Sequence, residues 1–234
     1  MPNKTFLIAG GSSGIGLALV KKISARGDRA IVLSRTAETL SNLPGVEHHS
    51  VDLRSGALPA DLLPDALHGL AYCPGSINLR PFRSLKPEAF LEDFQINVVG
   101  AIHVLQAAQT ALKNAGSAGV VLFSTVAVHQ GMPFHASVAA AKGAVEGLTR
   151  SLAAEWAPEI RVNCLAPSLT DTPLAGRLLA SPEKREAAAS RHPLRRTGTP
   201  DDIAGLALFL LDPESSWISG QVIGIDGGLS RLRV

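Results

Sequence analysis

Residues 5–16 read TFLIAGGSSGIG, and this stretch decides the fold. A short apolar run ends in glycines, which lead into LALVKKISARG with its apolar residues at helical spacing. Glycines let the backbone turn sharply and approach a ligand, and the first turn of a helix offers unpaired N–H groups with a partial positive charge. The stretch therefore predicts a strand, a tight turn and a helix whose N-terminus holds a pyrophosphate. A tight turn without a ligand is the alternative.

Short apolar runs alternate with helical patterns along almost the whole chain. The predicted strands are TFLIAG, AIVLS, VEHHSVDL, GLAYC, GVVLFS, IRVNCLA and QVIGID. The predicted helices after the first are residues 87–114, residues 136–156 and PDDIAGLALFLL. Strands rich in Val, Ile and Leu that alternate with helices predict a parallel sheet covered on both faces, and right-handed crossovers make it doubly wound. With no repeat or linker, we expect residues 1–234 to form a single α/β domain, Rossmann-like and flanked by helices on both faces.

Composition excludes several classes of function. Hydrophobic residues make up 46% of the chain and charged residues 18%, which is typical of a soluble globular protein. A formal net charge of +2, without a Lys/Arg block, argues against nucleic acid or an anionic membrane as a partner. No apolar run approaches the length of a membrane span or a signal-peptide core. We expect a cytoplasmic protein in which Cys73 and Cys164 are free thiols, and no metal site.

The glycine spacing is Gly10-x-x-x-Gly14-x-Gly16. This resembles the glycine motif of the short-chain dehydrogenase/reductase family, and the resemblance runs almost end to end. Asn97 in INVVG is similar to the family's helix asparagine. APSLTDTPL resembles the proline-glycine loop, with Ser168 in place of the glycine, and PLRRTGTPDDIAGLALFLL resembles the family's C-terminal third.

The resemblance implies a nicotinamide dinucleotide cofactor. The residues that it places at the cofactor are Gly10, Ser12, Ser13, Gly14, Ile15, Gly16, Asp52, Leu53, Gly75, Lys142, Pro167 and Thr172.

The end of the second strand bears on which nicotinamide cofactor binds. A carboxylate there would bind the ribose 2′-hydroxyl and repel a 2′-phosphate, whereas a basic residue would do the reverse. The sequence reads VLSRT, with no carboxylate, and Arg35 follows the strand directly. We predict NADP(H). The alternative is that Arg35 is only a solvated arginine.

The reaction end departs from the family pattern. In the family, the lysine matched by Lys142 bonds the nicotinamide ribose and lowers the pKa of a tyrosine four residues earlier, which exchanges a proton with the substrate. A serine thirteen residues before the tyrosine orients the carbonyl. Here these two positions hold Val138 and Thr125, with Ser124 as a spare hydroxyl, and Asn97 matches the asparagine of the proton relay. A valine neither donates nor accepts a proton.

Three accounts of this loss remain open. In the first, His135 supplies the proton, because an imidazole titrates near neutral pH. In the second, a water held by Asn97, Lys142 and Thr125 replaces the phenol. In the third, the protein binds NADP(H) without chemistry, as a sensor or scaffold subunit. The first two predict a carbonyl or alcohol oxidoreductase.

Two other side chains are weaker candidates. Tyr72, the only tyrosine of the chain, lies in AYCPG where the family has a structural asparagine, so we expect it to pack rather than to act as an acid. His129, in the preceding loop, is a weaker candidate than His135 for the same role as proton donor. His135 itself has an alternative role as a helix cap or a solvated loop residue.

The resemblance also bears on substrate and assembly. The expected pocket lining is largely apolar and includes Met132, Phe134, Leu174, Leu178 and Leu179. The resemblance implies a small-molecule substrate. The long helices and the C-terminal helix and strand imply self-association into a homodimer or homotetramer. Between residues 52 and 69, the two prolines at 59 and 64 predict that the crossover helix is lost or reduced to one turn.

Overall fold

The structure, a computed structural model, describes residues 4–54, 56, 58 and 62–233. Its strands are β1 Thr5–Ala9, β2 Arg29–Ser34, β3 Val46–Ser50, β4 Gly69–Tyr72, β5 Ala118–Phe123, β6 Ile160–Pro167 and β7 Val222–Ile225. They form one sheet in the order β3-β2-β1-β4-β5-β6-β7, and every pairing is parallel. The predicted doubly wound parallel sheet is confirmed.

Helices cover both faces of this sheet. They are α1 Gly14–Ala25, α2 Pro87–Phe94, α3 Gly100–Asn114, α4 Ala127–Gln130, α5 Ala136–Trp156, α6 Pro182–Ser190 and α7 Pro200–Leu211. Buried residues of α1 and α7 form the core on one face, and those of α3 and α5 form it on the other. Strand order changes direction between β1 and β4. In such sheets ligands bind beyond the carboxyl ends of the strands at this point.

The two longest helical patterns behave differently. Helix α5 has the predicted bounds, but the predicted helix over residues 87–114 is divided between α2 and α3 by a π-helical turn, Gln95–Val99. Such widened turns are rare and often lie at functional sites. Asn97 lies in the middle of this turn and is buried.

Helix α7 begins where its sequence predicts. Thr199 accepts a hydrogen bond from the Asp202 N–H, and the Asp202 carboxylate accepts one from the Thr199 N–H, which completes a capping box. Pro200 occupies the first helical position. These contacts fix the N-terminal end of α7.

A lost or shortened helix was predicted for the crossover between β3 and β4, and the described residues of this segment agree with that prediction. The described residues of this segment contain no α-helix. Pro59 lies outside the described residues. Elsewhere, the short helices α4 and α6 and a 3₁₀ segment, Pro173–Leu179, were not predicted. Across the described part of the chain, no helix has the length and apolarity to cross a membrane.

Candidate active site

The glycine turn after β1 has the conformation that its sequence requires. Gly10 and Gly14 have φ angles of 76° and 52°, which favour glycine. A Cβ on Gly16 would lie 2.2 Å from the Gly10 carbonyl oxygen, so only glycine fits there. Ser13 precedes α1 without making a capping bond from its side chain, and the first turn of α1 carries no acid. The N-terminus of α1 thus presents N–H groups and a partial positive charge to an anion.

A cleft of about 580 Å³ opens above this turn. Thr172, from the loop after β6, closes it on one side, since a Cβ on Gly14 would lie 3.3 Å from the Thr172 methyl group. The predicted cofactor residues that line the cleft are Gly10, Ser12, Ser13, Gly14, Ile15, Gly16, Arg35, Asp52, Leu53, Gly75 and Thr172. Segments that follow five different strands meet here because the strands are parallel and their carboxyl ends share one edge.

Two arginines stand at the outer end of the cleft. Arg35 follows β2 and is exposed, and Arg54 follows Asp52, whose carboxylate accepts a hydrogen bond from the Arg54 N–H at 3.0 Å. The sequence analysis missed Arg54. Its only signal was a basic residue two places after Asp52. This end of the cleft therefore offers two guanidinium groups beside one carboxylate.

A second cavity of about 630 Å³ adjoins the cleft. Residues lining both spaces include Ile15, Cys73, Gly75 and Thr172. The predicted residues that line only the second cavity are Thr125, His135, Lys142 and Pro167, together with Val138. The structure therefore brings the predicted cofactor and reaction residues to two connected spaces.

Lys142 lies where the two spaces meet. Its side chain is buried, and its Nζ donates to the Phe123 carbonyl oxygen at 2.7 Å. A Cβ on Gly75 would lie 3.5 Å from Nζ. Burial lowers the pKa of Lys142 from 10.5 to about 8, although nearby Cys164, Cys73 and Asp93 act in the opposite direction. The ammonium group uses one of its three N–H bonds on Phe123.

Asn97 lies directly behind Gly75 rather than in the wall of either cavity. Its Nδ2 donates to the Asp93 carbonyl oxygen at 2.7 Å and to Ser76 Oγ at 2.9 Å. Because a backbone carbonyl only accepts, this bond fixes which end of the amide is Nδ2. The opposite atom, Asn97 Oδ1, is buried and has no partner among the described residues.

Thr125 and Ser124 have different environments at the end of β5. Thr125 Oγ1 accepts from the Ala127 N–H at 3.3 Å, which leaves the hydroxyl proton for a ligand in the cavity. Ser124 is buried and donates to Glu146 Oε1 at 2.7 Å. Since its proton is already used, Ser124 is not an equivalent spare, and Thr125 is the better-placed hydroxyl.

The two histidine candidates also separate. His135 lines the cavity, and its Nδ1 lies 2.7 Å from the Pro133 carbonyl oxygen, so Nδ1 carries a proton and Nε2 is left for another partner. His135 precedes α5 without a capping bond from its side chain, contrary to the capping alternative. His129 lies outside the cavity lining and pairs with Glu146 at 3.1 Å.

No phenol replaces the missing tyrosine. Val138 lines the cavity and is only 5% exposed. Tyr72 lies in the core and donates to the Ile96 carbonyl oxygen at 2.7 Å, and burial raises its pKa. Tyr72 therefore packs against the π-helical turn, as expected.

The expected apolar lining is correct only in part. Met132, Leu174 and Leu178 line the second cavity. Phe134 instead is 56% exposed and has a φ of 69°, because the chain reverses before α5. Leu179 instead packs with two alanines in a small separate core. Sequence spacing alone does not indicate which way a loop side chain turns.

One polar pair in the second cavity was missed. Ser168 Oγ lies 2.8 Å from His192 Nε2, and His192 Nδ1 lies 2.8 Å from the Ala188 carbonyl oxygen. Both side chains line the cavity, and His192 is buried. The only sequence signal was a serine at a position where the resembled motif has glycine.

Known proteins that resemble this chain include reductases and dehydrogenases. A family model described as Enoyl-(Acyl carrier protein) reductase matches residues 9–230. The chain is 33% identical to a tropinone reductase homologue of Arabidopsis thaliana, over 98% of this chain and 93% of the relative. It is 33% identical to L-xylulose reductase of Bos taurus, over 95% and 94% of the two chains. A solved short-chain type dehydrogenase/reductase from Mycobacterium ulcerans superposes with a TM-score of 0.87 at 28% identity, covering 98% of this chain and 90% of that one.

Lys142→Met is expected to stabilise the protein at pH 7. Lowering the pKa of a lysine from 10.5 to about 8 corresponds to about 3 kcal/mol of unfavourable burial, and this figure already includes the favourable effect of Asp93 on the ammonium. Loss of the bond to Phe123 offsets about 1 kcal/mol of this. Urea unfolding should therefore show a gain of about 1–2 kcal/mol in the free energy of unfolding.

The gain should shrink at high pH. Between pH 8 and 10.5 the folded chain has released the Lys142 proton while the unfolded chain still holds it, which favours the folded wild type. Unfolding at pH 7 and pH 10 measures this. The exposed Lys113→Met is the matched control and should change little at either pH. A Lys142→Met protein that is less stable than wild type at pH 7 would contradict the assignment of a costly buried charge.

Proposed function

The chain belongs to the short-chain dehydrogenase/reductase family of nicotinamide-dependent oxidoreductases, and we propose that it transfers hydride between NADP(H) and a small carbonyl or alcohol compound. The observation that carries this proposal is the junction of the two spaces. Lys142 lies there beside Gly75, with the glycine turn in one space and Thr125, His135 and Val138 in the other.

The residues of the cleft fit a dinucleotide. The N–H groups at the start of α1 would bind the pyrophosphate, and Thr172 would close over it. The two N–H bonds of Lys142 that Phe123 does not use would bind the ribose hydroxyls of the nicotinamide end. NADP(H), when bound, supplies or accepts the hydride. Asp52 and Leu53 lie on the adenine side of the cleft, and Arg35 and Arg54 would bind the 2′-phosphate.

The proton must come from a group other than the usual tyrosine. Thr125 would donate a hydrogen bond from its hydroxyl to the substrate oxygen and so orient the carbonyl. His135 would exchange the proton through Nε2, because Nδ1 is held by the Pro133 carbonyl. Asn97 and Lys142 would complete the site, as a relay and as a positive charge.

The second cavity suits a substrate with an apolar body. Met132, Leu174 and Leu178 are among the side chains around it, and Arg191 adds a second positive charge to that of Lys142. The enclosed volume of about 630 Å³ is within the range of ordinary small-molecule sites. A carbonyl compound of moderate size is therefore proposed as the substrate class.

Cofactor choice is testable through Arg35. Arg35→Ala should weaken NADPH binding about tenfold or more, since bonds between charged groups contribute about 1.5–3 kcal/mol. NADH binding should change little, because NADH lacks the 2′-phosphate. Cofactor fluorescence titration measures both affinities. Arg29→Ala, at the opposite end of β2, is the control and should alter neither. Equal affinities of the wild type for NADPH and NADH would contradict the choice of NADP(H).

The proton donor is testable with a panel of ketones, aldehydes and quinones and NADPH. His135→Ala should reduce turnover about 10²–10⁴-fold, the usual contribution of general acid catalysis, with NADPH affinity unchanged. His129→Ala is the matched control, since His129 lies outside the cavity lining. Turnover unaffected by His135→Ala would contradict its role.

Val138→Tyr distinguishes the enzyme from a cofactor-binding pseudoenzyme that acts as a sensor or scaffold subunit. The proposed enzyme turns over substrate before the substitution. The pseudoenzyme would be favoured if the wild type binds NADPH without turnover on the panel and activity appears only in Val138→Tyr. The observation in favour of this alternative is the buried valine itself, which cannot exchange a proton.

We also propose that residues 1–234 act as one unit that assembles into a homodimer or homotetramer. Leu91 on α2 and Trp217, between α7 and β7, are 68% and 99% exposed, which is unusual for large apolar side chains in a monomer. Light scattering after gel filtration should give two or four times 24.4 kDa. A mass of 24.4 kDa at micromolar concentration would contradict assembly.

A further inference from the structure

A buried carboxylate lies one helical turn before Asn97 and takes no part in the function proposed above. Asp93, on α2, is 3% exposed. Its Oδ1 accepts a hydrogen bond from Ser76 Oγ at 2.6 Å, and its Oδ2 has no partner among the described residues. A buried acid is costly unless its charge is compensated. Asp93 therefore needs a nearby positive group.

The hydrogen bonds around Ser76 have a fixed direction. A carboxylate only accepts, so the Ser76 hydroxyl proton points to Asp93. Ser76 Oγ is then left to accept, and it receives the Asn97 Nδ2–H at 2.9 Å. The other Nδ2–H goes to the Asp93 carbonyl oxygen at 2.7 Å. With both N–H bonds used on this side, Asn97 Oδ1 must face the opposite way.

Oδ1 lies against Gly75, the residue that Lys142 Nζ also approaches. A Cβ on Gly75 would lie 3.3 Å from Asn97 Oδ1 and 3.5 Å from Lys142 Nζ. Both atoms thus lie against the same glycine, one as an acceptor with no partner and the other as an ammonium with N–H bonds to spare. The Asp93 backbone carbonyl sets which atom of Asn97 is presented to Lys142, and the Asp93 carboxylate, through Ser76, adds a second bond that holds this orientation.

Asp93 is also the anion that acts on Lys142 from a neighbouring element at neutral pH. Burial raises the pKa of Cys73 and of Cys164 to about 12, so both thiols are uncharged at pH 7. The titratable groups around Lys142 are Asp93 from α2, Cys73 after β4, Cys164 from β6, His129 from α4, His135 just before α5 and, on α5 itself, Glu146. Glu146 is engaged by Ser124 and His129.

We propose that Asp93 and Ser76 are positioning residues for this site. The Asp93 carboxylate is the counter-charge that keeps the buried Lys142 ammonium protonated, and through Ser76 it aims Asn97 Oδ1 at that ammonium. The electrostatic part concerns the ligand-free chain alone. Only its consequence for nicotinamide binding and turnover rests on the proposed function.

Nitrogen-15 NMR of lysine-labelled, ligand-free protein tests the counter-charge directly. Lys142→Arg identifies the Nζ signal by its disappearance. In Asp93→Asn the pKa of Lys142 should fall by about one pH unit or more, because an opposite charge nearby typically shifts a pKa by 1–3. Glu92→Gln removes a charge one residue earlier on the exposed side of α2 and should leave the pKa of Lys142 unchanged.

Ser76→Ala tests the aiming separately. It keeps the Asp93 charge, so the pKa of Lys142 should change less than in Asp93→Asn, but it removes one of the two hydrogen bonds that hold the Asn97 amide. NADPH binding should weaken several-fold, and Ser76→Thr, which keeps the hydroxyl, should restore it. If Ser76 mattered only for folding, NADPH binding would not be weakened by Ser76→Ala and restored by Ser76→Thr.

The outcomes separate this inference from the proposed function. An unchanged pKa of Lys142 in folded Asp93→Asn would overturn the counter-charge. If Asp93→Asn does not fold, Asp93→Ser supplies the same test, because it also removes the charge. If wild-type protein binds no nicotinamide, the proposed function fails while the ligand-free titration still decides the role of Asp93. NADPH affinity equal in Ser76→Ala and wild type would overturn the aiming.

Discussion

A buried ammonium group beside the carboxyl ends of β4, β5 and β6 is the constraint on which the rest of the site depends. Lys142 reaches this position because α5 packs against the sheet, and the chain accommodates its charge with the Phe123 carbonyl and a buried carboxylate on α2. A charge in an apolar setting is unfavourable for folding. Its presence at the junction of two cavities is characteristic of a group with a ligand to hold.

Val138, one helical turn before Lys142, offers that charge no ionisable neighbour. Beside a phenol, an ammonium would promote ionisation; beside a valine it has no such partner. Its remaining roles are to bind a sugar hydroxyl and to influence water or an imidazole in the cavity. The retained Thr125 hydroxyl and the cavity-lining His135 give the site the elements of proton exchange without an aromatic acid. Chemistry and stability therefore make opposing demands on Lys142.

Much of the fold was predictable because its signals are local. The glycines between β1 and α1, the proline and acids at the start of α7, and the apolar strand runs each impose a conformation on their own few residues. The parallel sheet follows from their alternation, and the edge at which ligands bind follows from the sheet. The family resemblance, rather than local pattern, indicated the cofactor residues, and most of them line the cleft. It failed for Phe134 and Leu179, whose directions depend on the packing of their loops.

The sequence by itself determined the sheet, the glycine turn, the position of Lys142 and the absence of a tyrosine at residue 138, because each depends on residue type and short-range spacing. Only the tertiary structure decided how polar groups far apart in the chain meet. Ser76 with Asp93, Ser124 with Glu146, and Ser168 with His192 are separated by 17 to 24 residues. No periodicity encodes such pairs, since each joins a serine that follows a strand to a side chain on, or just after, a helix.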